Sequence, residues 1–149
     1  MVASFEVHLS GVDELTAALT AAVARMDTVT HEATTAAASL VEIAVKDKLR
    51  QSSHRRRTPT PSSPGQPPSL VSGNLMRSIA VRGPTGGLGV WGASIGPTAI
   101  YGRIQELGGM TGRGHRTHLP PRPYVEPAAH ETTPLIESTY LAAWATIFG

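Results

Sequence analysis

The sequence contains no cysteine among its 149 residues, which excludes disulfide bonds, thiolate metal sites and a cysteine nucleophile. It also lacks any run of about 18 apolar residues, so we expect no membrane-spanning helix. Residues 1–11 have neither the basic start nor the long apolar stretch of a secretory signal. Aromatic residues make up only 5% of the chain, and the length predicts one domain over 1–149.

Charge is scarce in total but unevenly distributed along the chain. The formal net charge of +2 divides into −5 over residues 1–45, +10 over residues 46–122 and −3 over residues 123–149. Such asymmetry indicates either a polyanion nearby or pairing between copies of the chain. It argues against a uniformly basic coat for nucleic acid.

The N-terminal third predicts a short strand followed by a long helix. Apolar and polar residues alternate over 4–9, which is typical of a half-buried strand. From Val12 to about Gln51 the pattern becomes helical, with Asp13 as the predicted N-cap. Nine apolar positions, spaced alternately by four and three, form one predicted seam: Leu15, Leu19, Ala22, Met26, Val29, Ala33, Ala36, Leu40 and Ile43. The helix is rich in alanine and threonine, and we expect it to need a partner surface.

Two basic segments predict long extended loops. Residues 52–69 contain five prolines, five serines and no large apolar residue. Residues 108–121 are rich in glycine and basic side chains. Neither composition can build a core of its own.

The remaining segments predict short elements and a C-terminal helix. Residues 70–79 predict a short helix capped by Ser72, and a hairpin follows, with its turn at 83–87 and with Leu88, Val90 and Ile95 facing inward. A short helix over 98–107 would bury one face, made of Ile100, Ile104 and Leu107. Pro127 opens the last helix, and Pro134 predicts a kink or restart within it. The fold class is therefore α+β: a long N-terminal helix and a C-terminal helix packed on a small, mostly antiparallel sheet, with two long extended loops.

Catalytic and metal-binding patterns are weak in this sequence. His115 and His118 are close along the chain, but no carboxylate or cysteine accompanies them, so solvated loop histidines are the simpler interpretation. Gly109 and Gly114 have the glycine spacing of a phosphate-binding loop, yet the required lysine and serine or threonine are missing. We expect no enzyme activity, no cofactor and no metal.

Arginines provide the sharpest basic features. Arg55, Arg56 and Arg57 lie in the first loop, and Arg113 and Arg116 lie in the second. Such residues contact either nucleic-acid phosphate or an acidic face of a neighbouring subunit. No aromatic residue lies in either loop, which disfavours stacking on single strands, so any contact with nucleic acid would be with its backbone.

Three motifs occur in a fixed order along the chain. They are Ser72-Gly73-Asn74-Leu75-Met76-Arg77-Ser78-Ile79, then Ile100-Tyr101-Gly102-Arg103-Ile104-Gln105-Glu106-Leu107-Gly108-Gly109, then Pro121-Arg122-Pro123-Tyr124-Val125-Glu126-Pro127-Ala128. In this order and spacing the chain resembles the minor tail component, or tail-completion, family of long-tailed siphovirus phages. Gly102 stands where that family usually has alanine.

The resemblance implies a structural virion protein of the head–tail neck, assembled in the bacterial host cytoplasm. It implies a ring, expected to be a hexamer, that completes or terminates the tail and joins it to the head connector around the DNA path. Its partners would be other copies, adjacent connector and tail tube proteins, and packaged DNA bound without sequence preference, with no membrane and no small-molecule substrate. The motif residues with expected structural roles are Ser72, Gly73, Leu75, Ser78, Ile79, Tyr101, Glu106, Gly108, Arg122, Pro123, Tyr124 and Pro127.

Two alternatives remain open from the residues alone. The first is a sequence-independent nucleic-acid-binding module that uses the basic loops outside any virion. The second is a small hydrolase, which requires histidines and carboxylates clustered in a cleft.

Overall fold

The structure, a computed structural model, describes residues 10–51 and 61–148. The strand predicted over 4–9 and the arginines Arg55, Arg56 and Arg57 lie outside the described residues. The elements in chain order are α1 (Val12–Arg50), α2 (Asn74–Arg77), β1 (Ile79–Gly87), β2 (Val90–Pro97), α3 (Gly102–Leu107), β3 (Gly109–Thr111), β4 (Thr117–Leu119) and α4 (Val125–Phe148).

Helix α1 runs without interruption for 39 residues, a length of about 58 Å at the usual rise per residue. Gly11, with φ 90°, occupies the N-cap position, and no side chain caps the helix there. Asp13 therefore lies in the first turn, where its charge suits the helix dipole, and the prediction that it caps the helix was wrong. Several threonine hydroxyls donate to the carbonyl one turn earlier, as Thr16 and Thr20 do, which satisfies them within the helix.

The buried face of α1 follows the predicted seam only in part. It is formed by Thr30, Ala33, Thr34, Ala37, Ala38, Val41, Val45 and Leu49, whereas Ala36 and Ile43 of the predicted seam are exposed. The seam assumed a repeat of 3.5 residues per turn, but a straight helix has 3.6, so the contact face drifts around it. Before residue 27 every seam residue is exposed, because no other described element covers that part of α1.

Helix α4 lies antiparallel against the C-terminal part of α1. Four cross-contacts set this direction: Lys48 with Glu131, Thr34 with Tyr140, Trp144 with Thr30, and Arg25 with the carbonyl of Thr146. The helix begins at Val125, two residues before the predicted start, and continues through Pro134 in one helical segment. It ends beside Arg25, so about 20 Å of α1 extends beyond it.

Strands β1 and β2 form an antiparallel hairpin that also packs on α1. The strands pair from Ile79 opposite Pro97 to Gly87 opposite Val90, with a register shift between Arg82 and Thr85. The turn is therefore at Leu88–Gly89, and the predicted turn at 83–87 was wrong. Leu88 and Val90 are 91% and 77% exposed, which also corrects their predicted inward orientation. Ile95, which was predicted to face inward as well, is half-buried, and so are Trp91 and Ala93.

The second basic segment contains more structure than the sequence predicted. Strands β3 and β4 pair antiparallel from Gly109 opposite Leu119 to Thr111 opposite Thr117, and a tight turn over Arg113–His115, in which Gly114 has φ 72°, separates them. Residues 108–121 therefore form a small hairpin rather than an extended loop. Helix α3 is shorter than predicted. Of the three residues predicted to form its buried face, only Ile104 is half-buried, and Ile100 and Leu107 are exposed.

The core lies where α1, β1 and the start of α4 meet. Its buried residues are Val41, Val45, Leu49, Ile79, Tyr124 and Ala128. The predicted α+β class is confirmed, with the long N-terminal helix and the C-terminal helix against a small antiparallel sheet.

Candidate functional site

The second and third motifs meet at the junction between α3 and α4. The Glu106 carboxylate, on α3, accepts hydrogen bonds from the backbone N–H groups of Tyr124, Val125 and Glu126, at 2.8, 3.1 and 3.0 Å. These N–H groups open α4 and have no partner within the helix. A carboxylate at this position satisfies them and faces the positive end of the helix dipole, so Glu106 caps α4 from another element.

Tyr124 fills the centre of this junction. Its side chain is fully buried in the core, and its hydroxyl donates to the carbonyl of Gly102 at 3.2 Å. Burial raises the pKa of the Tyr124 phenol far above its ordinary value, and the negative charge of Glu106 raises it further. The phenol therefore remains a neutral hydrogen-bond donor.

Two glycines of the second motif allow close packing at the same junction. A Cβ on Gly102 would clash with the ring of Pro97, so alanine does not fit here. Gly108 has φ 69°, and a Cβ there would approach the Pro121 nitrogen at 2.7 Å and the Leu119 carbonyl oxygen at 2.8 Å. The chain can turn from α3 into β3 at this point only with glycine.

Arg122 ties the described end of the first loop to this junction. Its guanidinium Nε donates to the carbonyl of Ser62 at 3.1 Å, and its backbone N–H donates to the carbonyl of Gln105 at 2.8 Å. Gly65 N–H donates to the carbonyl of Pro121 on the same side. Arg122 is buried, so it acts within the fold and does not extend to a partner.

The first motif shapes the entry into β1. Gly73, with φ 74°, occupies the N-cap position of α2, and Ser72, predicted there, instead accepts a long hydrogen bond of 3.4 Å from Asn74 N–H. Ser78 Oγ donates to the carbonyl of Leu75, and Ile79 is buried in the core. The predicted structural residues Leu75 and Pro127 are half-buried, as is Pro123, while Tyr101 is 42% exposed.

The described arginines that were predicted as contact residues do not lie at this junction. Arg113 and Arg116 lie on the small hairpin formed by β3 and β4, where both side chains are exposed. Among residues 10–51 and 61–148, neither arginine forms an ion pair. Their charges therefore face solvent and are available to a partner.

Asp27 is a positioning residue that sequence reasoning missed. Its Oδ1 accepts hydrogen bonds from Gly89 N–H at 2.7 Å and from Trp91 Nε1 at 2.9 Å. Trp91 also meets the ring of His31 edge-on, with centroids 4.6 Å apart. These contacts hold the hairpin tip against α1, but along the sequence Asp27 looks like one more charged position on a helix.

In the part of the chain that the structure describes, few ionisable residues are placed where they could carry out chemistry. Within it, no three histidine, aspartate or glutamate residues are close enough together to hold a metal ion. Within the same ranges, no helix is long and apolar enough to cross a membrane. What the arrangement offers instead is a rigid junction with exposed basic and apolar surfaces around it.

Comparison with known proteins gives no relative from which a role can be transferred. The chain matches no family model, no curated protein and no solved structure.

Proposed function

We propose that this chain is a structural subunit of a phage head–tail neck, where copies form a ring that completes or terminates the tail around the DNA path. One observation carries the proposal. The residues of the second and third resemblance motifs serve caps, tight turns and core packing around one junction: Glu106 caps α4, Gly108 permits the turn after α3, and Tyr124 fills the core. Motif residues that maintain the fold in this way are consistent with a protein whose role is structural.

The surfaces around that junction fit a subunit that acts through contacts. Helix α1 extends about 20 Å beyond α4 and exposes Leu15, Leu19 and Val23 there. Apolar side chains on an uncovered helix face are typical of surfaces buried on assembly. Under this proposal the partners are other copies in a ring, expected to be a hexamer, and the adjacent connector and tail tube proteins.

The basic segments would face neighbouring subunits, neighbouring layers or the lumen. Arg113 and Arg116 are exposed on their hairpin, and Arg55, Arg56 and Arg57 belong to the same proposed contact set. Packaged DNA passing through the ring would meet such charges through its phosphates alone, without sequence reading.

Loss of the gene from the phage that encodes this chain is the direct test. Electron microscopy of lysates should show filled heads and separate tails, and the chain supplied in trans should restore joined virions. Infectious particles with complete tails attached to heads in the absence of the chain would overturn the proposal.

A second candidate function is sequence-independent nucleic-acid binding, which Arg113 and Arg116 favour because both are exposed and neither forms an ion pair with any residue that the structure describes. Fluorescence anisotropy with a labelled duplex of arbitrary sequence, measured from 50 to 300 mM salt, tests it. This candidate predicts tight binding by the isolated chain that weakens steeply with salt, and a smaller salt slope when both arginines are changed to glutamine. The neck proposal predicts weak binding at moderate salt.

A further inference from the structure

One exposed apolar stripe runs along the N-terminal part of α1. It consists of Leu15, Leu19, Val23 and Met26, here called the α1 ridge, and the first three are 57–60% exposed. Their spacing of four, four and three residues places them on one face of the helix. Helix α4 ends beside Arg25, so no described element of the same copy covers the ridge.

An apolar groove opens elsewhere on the molecule, between β2 and α4. It consists of two cavities of about 300 and 270 Å³ that share Ile95 and Val125 as lining residues. The floor of the first cavity is a stretch of α1 with small side chains at Thr34, Ala37 and Ala38. This β2–α4 groove continues past Pro97 to Arg103 and Leu107.

The ridge and the groove complement each other in shape. Large branched and flexible side chains project from the ridge, while small residues on the groove floor leave space for them. A single copy cannot bring the two together, because the ridge and the floor belong to the same uninterrupted helix, with Met26 and Thr34 only eight positions apart. Only a second copy can place its ridge in this groove.

Length and charge agree with such an arrangement. From Asp13 to Met26 the helix rises about 20 Å, and from Trp91 to Pro97 strand β2 also spans about 20 Å. Arg103 lies at one end of the groove and forms no ion pair within residues 10–51 and 61–148. Glu106 lines the same end, but its carboxylate accepts hydrogen bonds from the N–H groups that open α4. Asp13 and Glu14 form the acidic first turn of α1, just before the ridge.

We propose that the α1 ridge of one copy docks in the β2–α4 groove of the next, with Asp13 and Glu14 beside Arg103 of that next copy. Each copy then uses its ridge once and its groove once. Such a head-to-tail interface closes into a ring when the rotation between copies permits, or else propagates as a filament. The inference rests on the proposed function, because it names the surfaces through which the copies would assemble.

Disulfide trapping tests the contact directly, because the natural chain has no cysteine. A Leu19→Cys preparation is mixed with an Ala93→Cys preparation under mild oxidation, and mass spectrometry separates the mixed disulfide from the two homodimers. The matched control replaces Leu19→Cys with Ile43→Cys, on the same helix, 57% exposed and outside both surfaces. We expect the mixed disulfide of the test pair to form at least about tenfold faster than that of the control pair, because docking raises the local concentration of the thiols.

Three outcomes of the trapping experiment would contradict the proposal. Equal rates of disulfide formation for the test and control pairs would mean that the ridge and the groove do not make the proposed contact. Dominant Leu19→Cys homodimers would mean that ridges pair with each other. Faster trapping of Ala93→Cys by a Phe5→Cys variant would assign the groove to the segment before α1.

A charge variant tests the energetic role of the ridge. Analytical ultracentrifugation compares Leu19→Asp combined with Val23→Asp against Ile43→Asp, after circular dichroism has verified that each variant retains its helix content. We expect self-association to weaken about 30-fold or more in the double variant and to change little in the control. Unchanged association of the double variant would overturn the interface.

The two proposals fail in different ways. If the variants separate as expected but virions assemble without the chain, the neck function fails and the interface stands. If heads and tails remain separate without the chain while the trapping pair shows no preference, the neck function stands and the interface fails.

Discussion

The Glu106 carboxylate lies 2.8 Å from the backbone N–H of Tyr124 and so caps a helix that begins 19 residues later in the chain. The cap couples α3 to α4 and places Tyr124 in the core. It explains why a glutamate in one motif accompanies an Arg-Pro-Tyr segment in another: each supplies half of one hydrogen-bonded junction.

Removal of the cap should destabilise the protein measurably. Glu106→Ala leaves the N–H groups of Tyr124, Val125 and Glu126 without their carboxylate, and we expect a loss of about 0.5–2 kcal/mol in the free energy of unfolding. Urea denaturation followed by circular dichroism measures it. Glu137→Ala, an exposed carboxylate on α4 outside any described ion pair, should change stability by less than about 0.5 kcal/mol. Equal effects of the two substitutions would argue against the cap.

The packing of the hairpin tip against α1 should depend on Asp27, although the position of Asp27 in the sequence does not indicate this role. Asp27→Ala leaves Gly89 N–H and Trp91 Nε1 without an acceptor, and we expect a loss of about 1–3 kcal/mol. In a Trp144→Phe background, the fluorescence of Trp91 should shift to the red as the indole becomes more solvated. Glu32→Ala, an exposed position on the same helix, serves as the control and should leave the spectrum unchanged. An unchanged Trp91 spectrum in Asp27→Ala would contradict this role.

Local signals predicted the helices better than they predicted the hairpin. Between Val12 and Arg50 no proline or glycine interrupts the pattern, and α1 spans that whole range. In the hairpin, glycine and proline give turn signals over 83–87, but the turn lies at Leu88–Gly89. Asp27 holds that tip from 62 positions away, and a contact so distant along the chain leaves no local pattern.

The motif residues of the site were predictable as a pattern, while their roles were not. Glu106, Gly108 and Tyr124 stand out by their order and spacing, yet the cap and the close backbone approach depend on how α3, β3 and α4 meet. The burial of Arg122 could not be predicted from the sequence either, because its hydrogen-bond acceptor, the carbonyl of Ser62, follows a segment without periodicity. Exposed Ile100 and Leu107 failed as core residues because α3 is only six residues long.

High pH should unfold the protein partly through Tyr124. Burial raises the pKa of its phenol above the ordinary value of 10.0, so the stabilising contribution is fully present below pH 10 and is lost as the pH rises above it. The slope approaches about 1.4 kcal/mol per pH unit, because the unfolded phenol ionises while the folded one stays neutral. Urea denaturation between pH 9 and pH 11 measures it. Tyr124→Phe should flatten this decline, and Tyr140→Phe should retain it; identical profiles for the two variants would contradict the assignment.

Gly108 should tolerate substitution far less than another glycine with a similar positive φ. Gly108 and Gly89 have φ values of 69° and 78°, but a Cβ on Gly89 meets nothing within 4 Å, whereas one on Gly108 meets backbone atoms of Leu119 and Pro121. Both alanine variants incur left-handed strain of about 1–2 kcal/mol. Gly108→Ala should lose clearly more in thermal denaturation, since backbone atoms must shift as well. Equal losses would mean that the turn into β3 adapts freely.

The requirement for glycine at position 102 should depend on Pro97. A Cβ at position 102 would clash with the Pro97 ring, so Gly102→Ala alone should destabilise the protein by about 1–3 kcal/mol, the range for overpacking. Pro97→Ala removes most of the ring and opens that space. The double variant should therefore be more stable than the sum of the two single effects predicts, with a coupling of about 0.5–3 kcal/mol measured in a double-mutant cycle. Additive effects would mean that another contact at this junction, such as the Tyr124 hydroxyl 3.3 Å from the same Cβ position, sets the requirement for glycine.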